Sequence, residues 1–244
     1  MDAADLKRKA MSNAAADPRR SALEAVLGSD AADARLIGGS VRDWALGREP
    51  LELDVVLEGD ARDLAELLAG DAARIHHRFM TAEVDFEFGR VDFATARSER
   101  YAAPAALPDV EPADFERDLE RRDFTVNALS LTVDAHATGG LEQGWRDLGG
   151  GILRVLHEAS FIDDPTRLWR LARYSGRLGF KADPGTASLA AAAIDGGALD
   201  AVSPHRIGGE ILRTISFSEP DESMLAALDL GLFGPDVDAS AYAS

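Results

Sequence analysis

The feature that most constrains the fold is a short alternating segment, Leu51–Leu57, which carries two acids. Side chains alternate between the faces of a β-strand, so we expect Glu52 and Asp54 on one face and Leu53 on the other. Neighbouring carboxylates repel each other unless a cation lies between them. The segment therefore predicts a strand with one face in the core and the other at a cation site. A solvated strand face is the alternative.

The segments around this strand predict a mixed α/β domain. Strand-like segments rich in β-branched and aromatic residues alternate with helical ones, and Gly or Pro separates many of them. Predicted strands are residues 34–37, 51–57, 74–80, 84–88 and 90–96, and predicted helices are residues 40–46 and 61–68. This β-α-β-α-β-β-β order is typical of a small mixed sheet covered by helices.

The rest of the chain predicts a long loop and then helices. Residues 98–117 contain three prolines, which is typical of a loop, and the pattern becomes helical from Asp163. In chain order we predict a polar N-terminal extension (1–20), an α/β domain (21–150), a helical segment (151–217) and a short acidic tail (218–244).

Composition excludes several classes of protein. The chain has no apolar run of about 18 residues, so no transmembrane helix is expected. It starts without the apolar stretch of a secretory signal and has no cysteine, which predicts a cytoplasmic protein without disulfides or thiolate metal sites. The net charge of −17 argues against general nucleic-acid binding, although a local basic face can still bind phosphates.

Two glycines, Gly38 and Gly39, lie between the first predicted strand and the first predicted helix. Glycine has no Cβ, so the backbone amides at this helix start can approach an anion. Arg42 lies within the first helical turn and can reach the same anion. A tight turn without a ligand is the alternative.

The acids suit a metal ion. Glu52 and Asp54 are oxygen ligands of the kind that Mg²⁺ takes while it bridges to substrate phosphates. Two such ions can activate an attacking hydroxyl and neutralise a leaving pyrophosphate. Asp92 lies in a third strand-like segment, and a neighbouring strand would bring it beside the other two. An ion pair with Arg90 or Arg97 is the alternative for Asp92.

Four arginines recur on one face of the helix predicted after Asp163. At about 100° per residue they fall within a stripe roughly 120° wide, beside an apolar face that packs. Like charges on one stripe repel each other, and a triphosphate or an RNA backbone would relieve that repulsion. Ion pairs with the acids of the chain are the alternative. The four are Arg167, Arg170, Arg173 and Arg177.

Four motifs together resemble the class II tRNA nucleotidyltransferase (CCA-adding enzyme) and bacterial poly(A) polymerase family. They occur in the family's order over residues 34–217, as GGSVRD, ELDVVLEGDA, RRDFTVNALS and DDPTRLWRLARYSGRLGF. The resemblance implies an α/β (α+β) polymerase-β-like nucleotidyltransferase head with a mixed sheet, followed by an all-α neck. It implies Mg²⁺-dependent, template-independent transfer of CMP or AMP from CTP or ATP to RNA 3′ ends, above all tRNA CCA-end addition or repair.

The resemblance also implies a role for each matched position. Glu52 and Asp54 match the metal-binding pair, and Asp92 falls where a third catalytic acid often stands. Asp164 and Arg167 match the pair that reads the base, since a carboxylate accepts from an amine and a guanidinium donates to a ring nitrogen or carbonyl. Implied nucleotide-binding residues are Gly38, Gly39, Arg42, Arg122, Asp123, Asn127, Asp164, Arg167, Arg170 and Arg173.

Three departures from the family pattern leave alternatives open. Glu52 stands where Asp is usual, Asp163 stands where Glu is usual, and the chain stops at Ser244 without most of the body and tail that hold tRNA. A homodimer or a partner chain would then supply RNA-binding surface. The alternatives are an A-adding enzyme or poly(A) polymerase, a catalytically weak NTP- or RNA-binding relic, and transfer to a small molecule or protein. The full-length loop at residues 96–119 favours addition of A, with or without C, over addition of C alone.

Overall fold

The computed structural model describes residues 1–216 and 220–233. The strands in these residues are, in chain order, β1 (Ala34–Ile37), β2 (Leu53–Leu57), β3 (Arg74–His76), β4 (Thr81–Phe86), β5 (Gly89–Thr95), β6 (Arg97–Arg100), β7 (Asp109–Pro112), β8 (Leu129–Thr132), β9 (Thr138–Gly140), β10 (Ile152–Leu153) and β11 (Lys181–Ala182). The helices are α1 (Ala3–Ala16), α2 (Pro18–Leu27), α3 (Gly39–Leu46), α4 (Ala61–Ala69), α5 (Phe115–Glu120), α6 (Glu142–Gly150), α7 (Ser160–Asp163), α8 (Thr166–Leu178), α9 (Pro184–Asp195), α10 (Pro204–Ile215) and α11 (Pro220–Asp229).

The chain divides into two compact units. The first, here called the sheet unit, consists of residues 1–100 and 110–150. The second, the helical unit, consists of residues 101–109 and the described residues from 151 onward. None of the helices in the described ranges is long and apolar enough to cross a membrane.

The sheet unit is built on a seven-stranded mixed sheet in the order β3-β4-β5-β2-β1-β8-β9. β2 and β5 run parallel, and the other neighbouring strands are antiparallel. The apolar side chains of Leu53 and Val55 on β2 are each 1% exposed, so one face of this strand lies in the core. The mixed α/β class predicted from the sequence is confirmed.

The N-terminal residues form part of the sheet unit. The sequence predicts a polar, frayed or helical extension at residues 1–20, and the structure has α1 there, with Leu6, Ala10 and Ala14 at most 1% exposed. These three side chains recur every fourth residue and therefore form one stripe, which contacts α3 and α6. Two of the three are small alanines, so the composition of this segment suggests a polar extension although one face of the helix is buried.

The predicted loop at residues 98–117 contains regular structure. β6 and β7 pair as a two-stranded ladder, and α5 begins after Asp114, whose side chain accepts a hydrogen bond from the backbone N–H of Arg117. The strand segments RSER and DVEP lack apolar alternation, so periodicity does not reveal them.

The helical unit is centred on α8. Leu168, Leu171 and Ala172 on this helix are fully buried, and α11 packs so closely that a Cβ at Gly176 would lie 2.3 Å from the backbone N of Ser223. The predicted all-α segment also holds a short parallel ladder between β10 and β11. α11 falls within the predicted acidic tail, and residues 218–219 and 234–244 of that tail lie outside the described residues.

Candidate active site

Three acids lie together at the centre of the sheet unit. The parallel register of β2 and β5 places Asp54 opposite Asp92, and Glu52 lies just before β2, which begins at Leu53 rather than at Leu51. One carboxylate oxygen from each acid lies within 4.8 Å of the others. Such a cluster of oxygen donors fits a hard divalent cation.

The cluster is electrostatically strained without a cation. Burial and the charges of Glu52 and Asp92 raise the pKa of Asp54 to about 7, although Arg122 and Arg42 oppose this rise. Burial also raises the pKa of Asp92, against the effect of Arg90. Arg90 Nε donates to Asp92 Oδ1 over 3.0 Å. Asp92 therefore forms the ion pair with Arg90 that the sequence offered as an alternative, and it also lies beside the other two acids.

We expect Asp54→Asn to raise the melting temperature in metal-free buffer at pH 8. Folding raises the pKa of Asp54 from 3.8 to about 7, so the folded chain binds more protons than the unfolded chain between these values. Stability therefore falls as the pH rises through this window, and the Asn variant lacks that loss. Calorimetry in EDTA should show a smaller difference between variant and wild type at pH 5. A difference independent of pH would contradict the shift.

The glycine pair forms a turn against the acids. Gly38 has a φ of +67°, and its N–H donates to the carbonyl of Leu129 over 3.0 Å. A Cβ at Gly38 would lie 2.9 Å from Nη1 of Arg122, and a Cβ at Gly39 would lie 3.5 Å from Oδ2 of Asp54. At this turn the backbone therefore lies close to the charged side chains of Arg122 and Asp54. The first residues of α3 consequently lie beside the acid cluster.

Arg42 is held by a buried network. Its Nε donates to Asp43 Oδ1 over 2.9 Å, and its Nη1 donates to Asn127 Oδ1. The side-chain amide of Asn127 in turn donates to Asp123 Oδ1 over 2.9 Å. These residues are between 2% and 6% exposed. The predicted nucleotide-binding residues Asp123 and Asn127 therefore orient Arg42 within the core of the sheet unit.

Arg122 is anchored by Asp118, which the sequence reading missed. Asp118 is fully buried on α5, and its Oδ2 accepts from Nη2 of Arg122 over 2.9 Å. Its Oδ1 accepts from Nη2 of Arg121 over 2.6 Å. Burial opposes the charge of Asp118, but the two guanidinium groups outweigh it and lower its pKa. The available signal was the spacing, because Asp118 precedes Arg121 and Arg122 by three and four residues, at which side chains meet on a helix.

In the helical unit, the predicted base-reading residues have partners of their own. Oδ1 of Asp164 accepts from the backbone N and Oγ1 of Thr166 and from Nη2 of Arg206, which donates over 2.8 Å. Arg167 is 5% exposed, and its Nη1 donates to Ser160 Oγ over 2.7 Å. Arg206 is a second residue that the sequence reading missed.

The predicted arginine stripe of α8 does not present one uniform charged face. Arg173 is 4% exposed, and its Nη1 donates to Glu210 of α10. Arg170 is half-buried, and its Nη2 donates to the hydroxyl of Tyr174 over 3.3 Å. The ion-pair alternative therefore holds for Arg173, because α10 brings a carboxylate to it from outside the helix.

The structure thus gathers the predicted site residues into two groups. The sheet unit brings together Glu52, Asp54 and Asp92 with the glycine turn and Arg122. The helical unit contains the group on and before α8. The members of that second group are Asp164, Arg167, Arg170 and Arg173.

A family model described as the poly A polymerase head domain matches residues 34–154. Two A-adding tRNA nucleotidyltransferases are similar to the chain, from Geobacter sulfurreducens at 39% identity over 203 residues and from Aquifex aeolicus at 42% over 184 residues. The matches cover 80% and 73% of this chain, but only 23% and 22% of those relatives. The chain therefore spans about a quarter of their length.

Solved structures of similar sequence share the fold. A CCA-adding enzyme in complex with CTP matches at a TM-score of 0.74 and 32% identity, over 95% of this chain and 55% of that one. A tRNA nucleotidyltransferase complexed with a primer tRNA and an incoming ATP analogue matches at a TM-score of 0.68 and 36% identity. That match covers 82% of this chain and 56% of the solved chain.

Proposed function

Because residues 34–154 belong to the poly A polymerase head-domain family, we propose that this chain is a template-independent nucleotidyltransferase that adds AMP or CMP to RNA 3′ ends. The acceptor class that similarity favours is tRNA lacking part of its CCA end. The observation that carries the proposal is the cluster of Glu52, Asp54 and Asp92 against the Gly38-Gly39 turn. A cation site beside a glycine turn at a helix start suits a nucleoside triphosphate.

The three acids would hold Mg²⁺. When bound, Mg²⁺ supplies a more acidic attacking hydroxyl and neutralises charge on the leaving pyrophosphate. In the transfer, the oxygen of the RNA 3′-hydroxyl would form a bond to the α-phosphorus as the hydroxyl loses its proton to solvent. The bond from that phosphorus to the oxygen that bridges it to the β-phosphorus would break, and pyrophosphate would leave. Glu52 carries one methylene more than Asp and reaches the cluster from outside the hydrogen-bonded part of β2.

The cationic groups of the sheet unit would bind the triphosphate. Arg122 is held by Asp118 and lies beside Gly38, where its guanidinium can donate to phosphate oxygens. The buried network around Arg42 keeps a second guanidinium near Gly39. Fixed donors of this kind are effective because they need little reorganisation when charge develops on the leaving group.

Asp164 and Arg167 of the helical unit would select the base. A carboxylate that accepts from the exocyclic amine, with a guanidinium that donates to the adjacent acceptor, fits adenine and cytosine. Uracil and guanine present the opposite pattern at that edge. This pairing gives selection of ATP and CTP without a nucleic-acid template.

Addition of A alone is the second candidate. It is favoured by the two relatives named A-adding tRNA nucleotidyltransferases at 39% and 42% identity.

A homodimer or partner chain that supplies RNA-binding surface stays a prediction, as does a cytoplasmic location.

Incorporation assays test the proposal directly. The purified chain would be mixed with Mg²⁺ and tRNAs that end before CCA, after C or after CC, with ATP and CTP supplied singly and together. We expect labelled nucleotide at the 3′ end, and parallel reactions with EDTA or with UTP and GTP serve as controls. Addition of A only after CC would identify an A-adding enzyme, and long A tails would identify a poly(A) polymerase. No incorporation in any combination would overturn the proposed activity and favour a binding relic.

A further inference from the structure

The carboxylate of Asp164 is fixed through one of its two oxygens. Oδ1 accepts from the backbone N of Thr166 over 3.1 Å, from Thr166 Oγ1 over 2.7 Å and from Arg206 Nη2 over 2.8 Å. Within the described residues, no hydrogen bond to Oδ2 is found, and the side chain is 22% exposed. One oxygen is therefore committed to the protein, while the other can accept from a ligand.

Arg206 also holds a second element of the helical unit. Its Nη1 donates to the carbonyl of Ala105 over 2.6 Å, so one planar guanidinium links α10 both to Asp164 and to the segment at residues 101–109. Ala105 adopts a φ of +59°, which a residue with a Cβ rarely adopts, and its N–H donates to the carbonyl of Ile162 over 3.2 Å. The backbone is thus held in a costly conformation that presents its carbonyl to Arg206.

The contacts of Arg206 distinguish it from an ordinary surface ion pair. The side chains of Arg206 and Asp164 are each 22% exposed, and the two acceptors of Arg206 lie on segments 59 residues apart in sequence. A planar guanidinium with two fixed acceptors has a defined orientation, which a lysine ammonium cannot reproduce. The arrangement therefore fixes the direction of the Asp164 carboxylate.

We propose that Arg206 is a specificity-determining positioning residue, which orients Asp164 so that its Oδ2 accepts from the amine of adenine or cytosine. This inference rests on the proposed function, because it assumes that Asp164 reads the base. Thr166 serves the same purpose from the start of α8, and Ala105 sets the position of Arg206. Discrimination depends on this orientation, since a carboxylate that can turn away no longer penalises a base that lacks the amine.

Steady-state incorporation kinetics with the four nucleoside triphosphates test the inference. We expect Arg206→Gln and Thr166→Val each to reduce the preference in kcat/KM for ATP over UTP by about tenfold. Binding of inorganic tripolyphosphate, measured by calorimetry, should not change. Arg213→Gln removes the same charge from α10 at a residue whose side chain is 63% exposed and should leave the preference intact.

Two outcomes would overturn the inference. One is an unchanged preference in both variants, and the other is an equal loss for all four nucleotides together with weaker binding of tripolyphosphate. If Arg206→Gln does not fold, Thr166→Val alone decides between these outcomes. An inactive wild-type chain would count against the proposed function itself, whereas an active wild type with unchanged variants would count only against the role of Arg206.

Discussion

Replacement of Asp54 by Asn should reduce nucleotide incorporation by about 10³-fold or more, while the protein remains folded. Asp54 belongs to the cluster with Glu52 and Asp92, and one of its carboxylate oxygens lies within 4.8 Å of an oxygen of each. An amide carries no charge and cannot replace a carboxylate as a ligand of Mg²⁺. The loss is expected in kcat, and excess Mg²⁺ should restore little of it.

A matched control separates this loss from a general effect of charge. Asp63→Asn removes an exposed acid from α4 in the same unit and should leave the rate within about twofold of wild type. Mg²⁺ titrations of thermal stability should show stabilisation of the wild type and of Asp63→Asn, but not of Asp54→Asn. Full activity in Asp54→Asn would refute the metal-binding role of the cluster.

Replacement of Asp118 by Asn should lower the free energy of unfolding by about 3 kcal/mol and raise the KM for ATP. Asp118 is fully buried and pairs with Arg121 and Arg122, so its loss removes the carboxylate partner of Arg122, whereas Arg121 keeps its ion pair with Glu99. Arg122 is then free to leave the position beside Gly38 at which it would meet the triphosphate. Urea denaturation measures the first effect, and initial rates at varied ATP measure the second.

The pH dependence of stability gives a further signature of Asp118. Its pKa is lowered in the folded state, so its contribution to stability is present above the unfolded pKa of about 4 and is lost as the pH falls below that value. The Asn variant should show a weaker acid-induced loss of stability. As a control, Glu120→Gln on the same helix breaks an exposed pair with Arg117 and should cost less than about 1 kcal/mol. Equal stability of Asp118→Asn and Glu120→Gln would contradict the anchoring role.

The centre of the fold follows from local sequence, and so does much of the acid cluster. A period of two puts Glu52 and Asp54 on one face wherever this segment forms a strand. Asp92 reaches the other two acids only because β5 pairs in parallel with β2. The sequence allows this pairing but also allows other orders of the strands. The strand pattern therefore predicts which acids are available, and the register decides that they meet.

The supporting residues were beyond prediction because their partners are distant in sequence. Arg206 and Asp164 are 42 residues apart, and Arg173 and Glu210 are 37 residues apart. No periodicity within one element connects such pairs, since they exist only once α10 packs on α8. Asp118 is different, because its spacing to Arg122 is a helical one, but its complete burial is a tertiary effect.

The pKa of about 7 at Asp54 has a consequence for how a cation enters the cluster. Near neutral pH, about half of the molecules carry a proton on this carboxyl group, so a proton and a cation compete for one position. A cation that binds a protonated molecule displaces that proton into solvent, so its apparent affinity rises with pH until Asp54 is fully ionised. The proton removes one negative charge from the cluster and so reduces the repulsion among the three acids, and a cation that binds takes over this role.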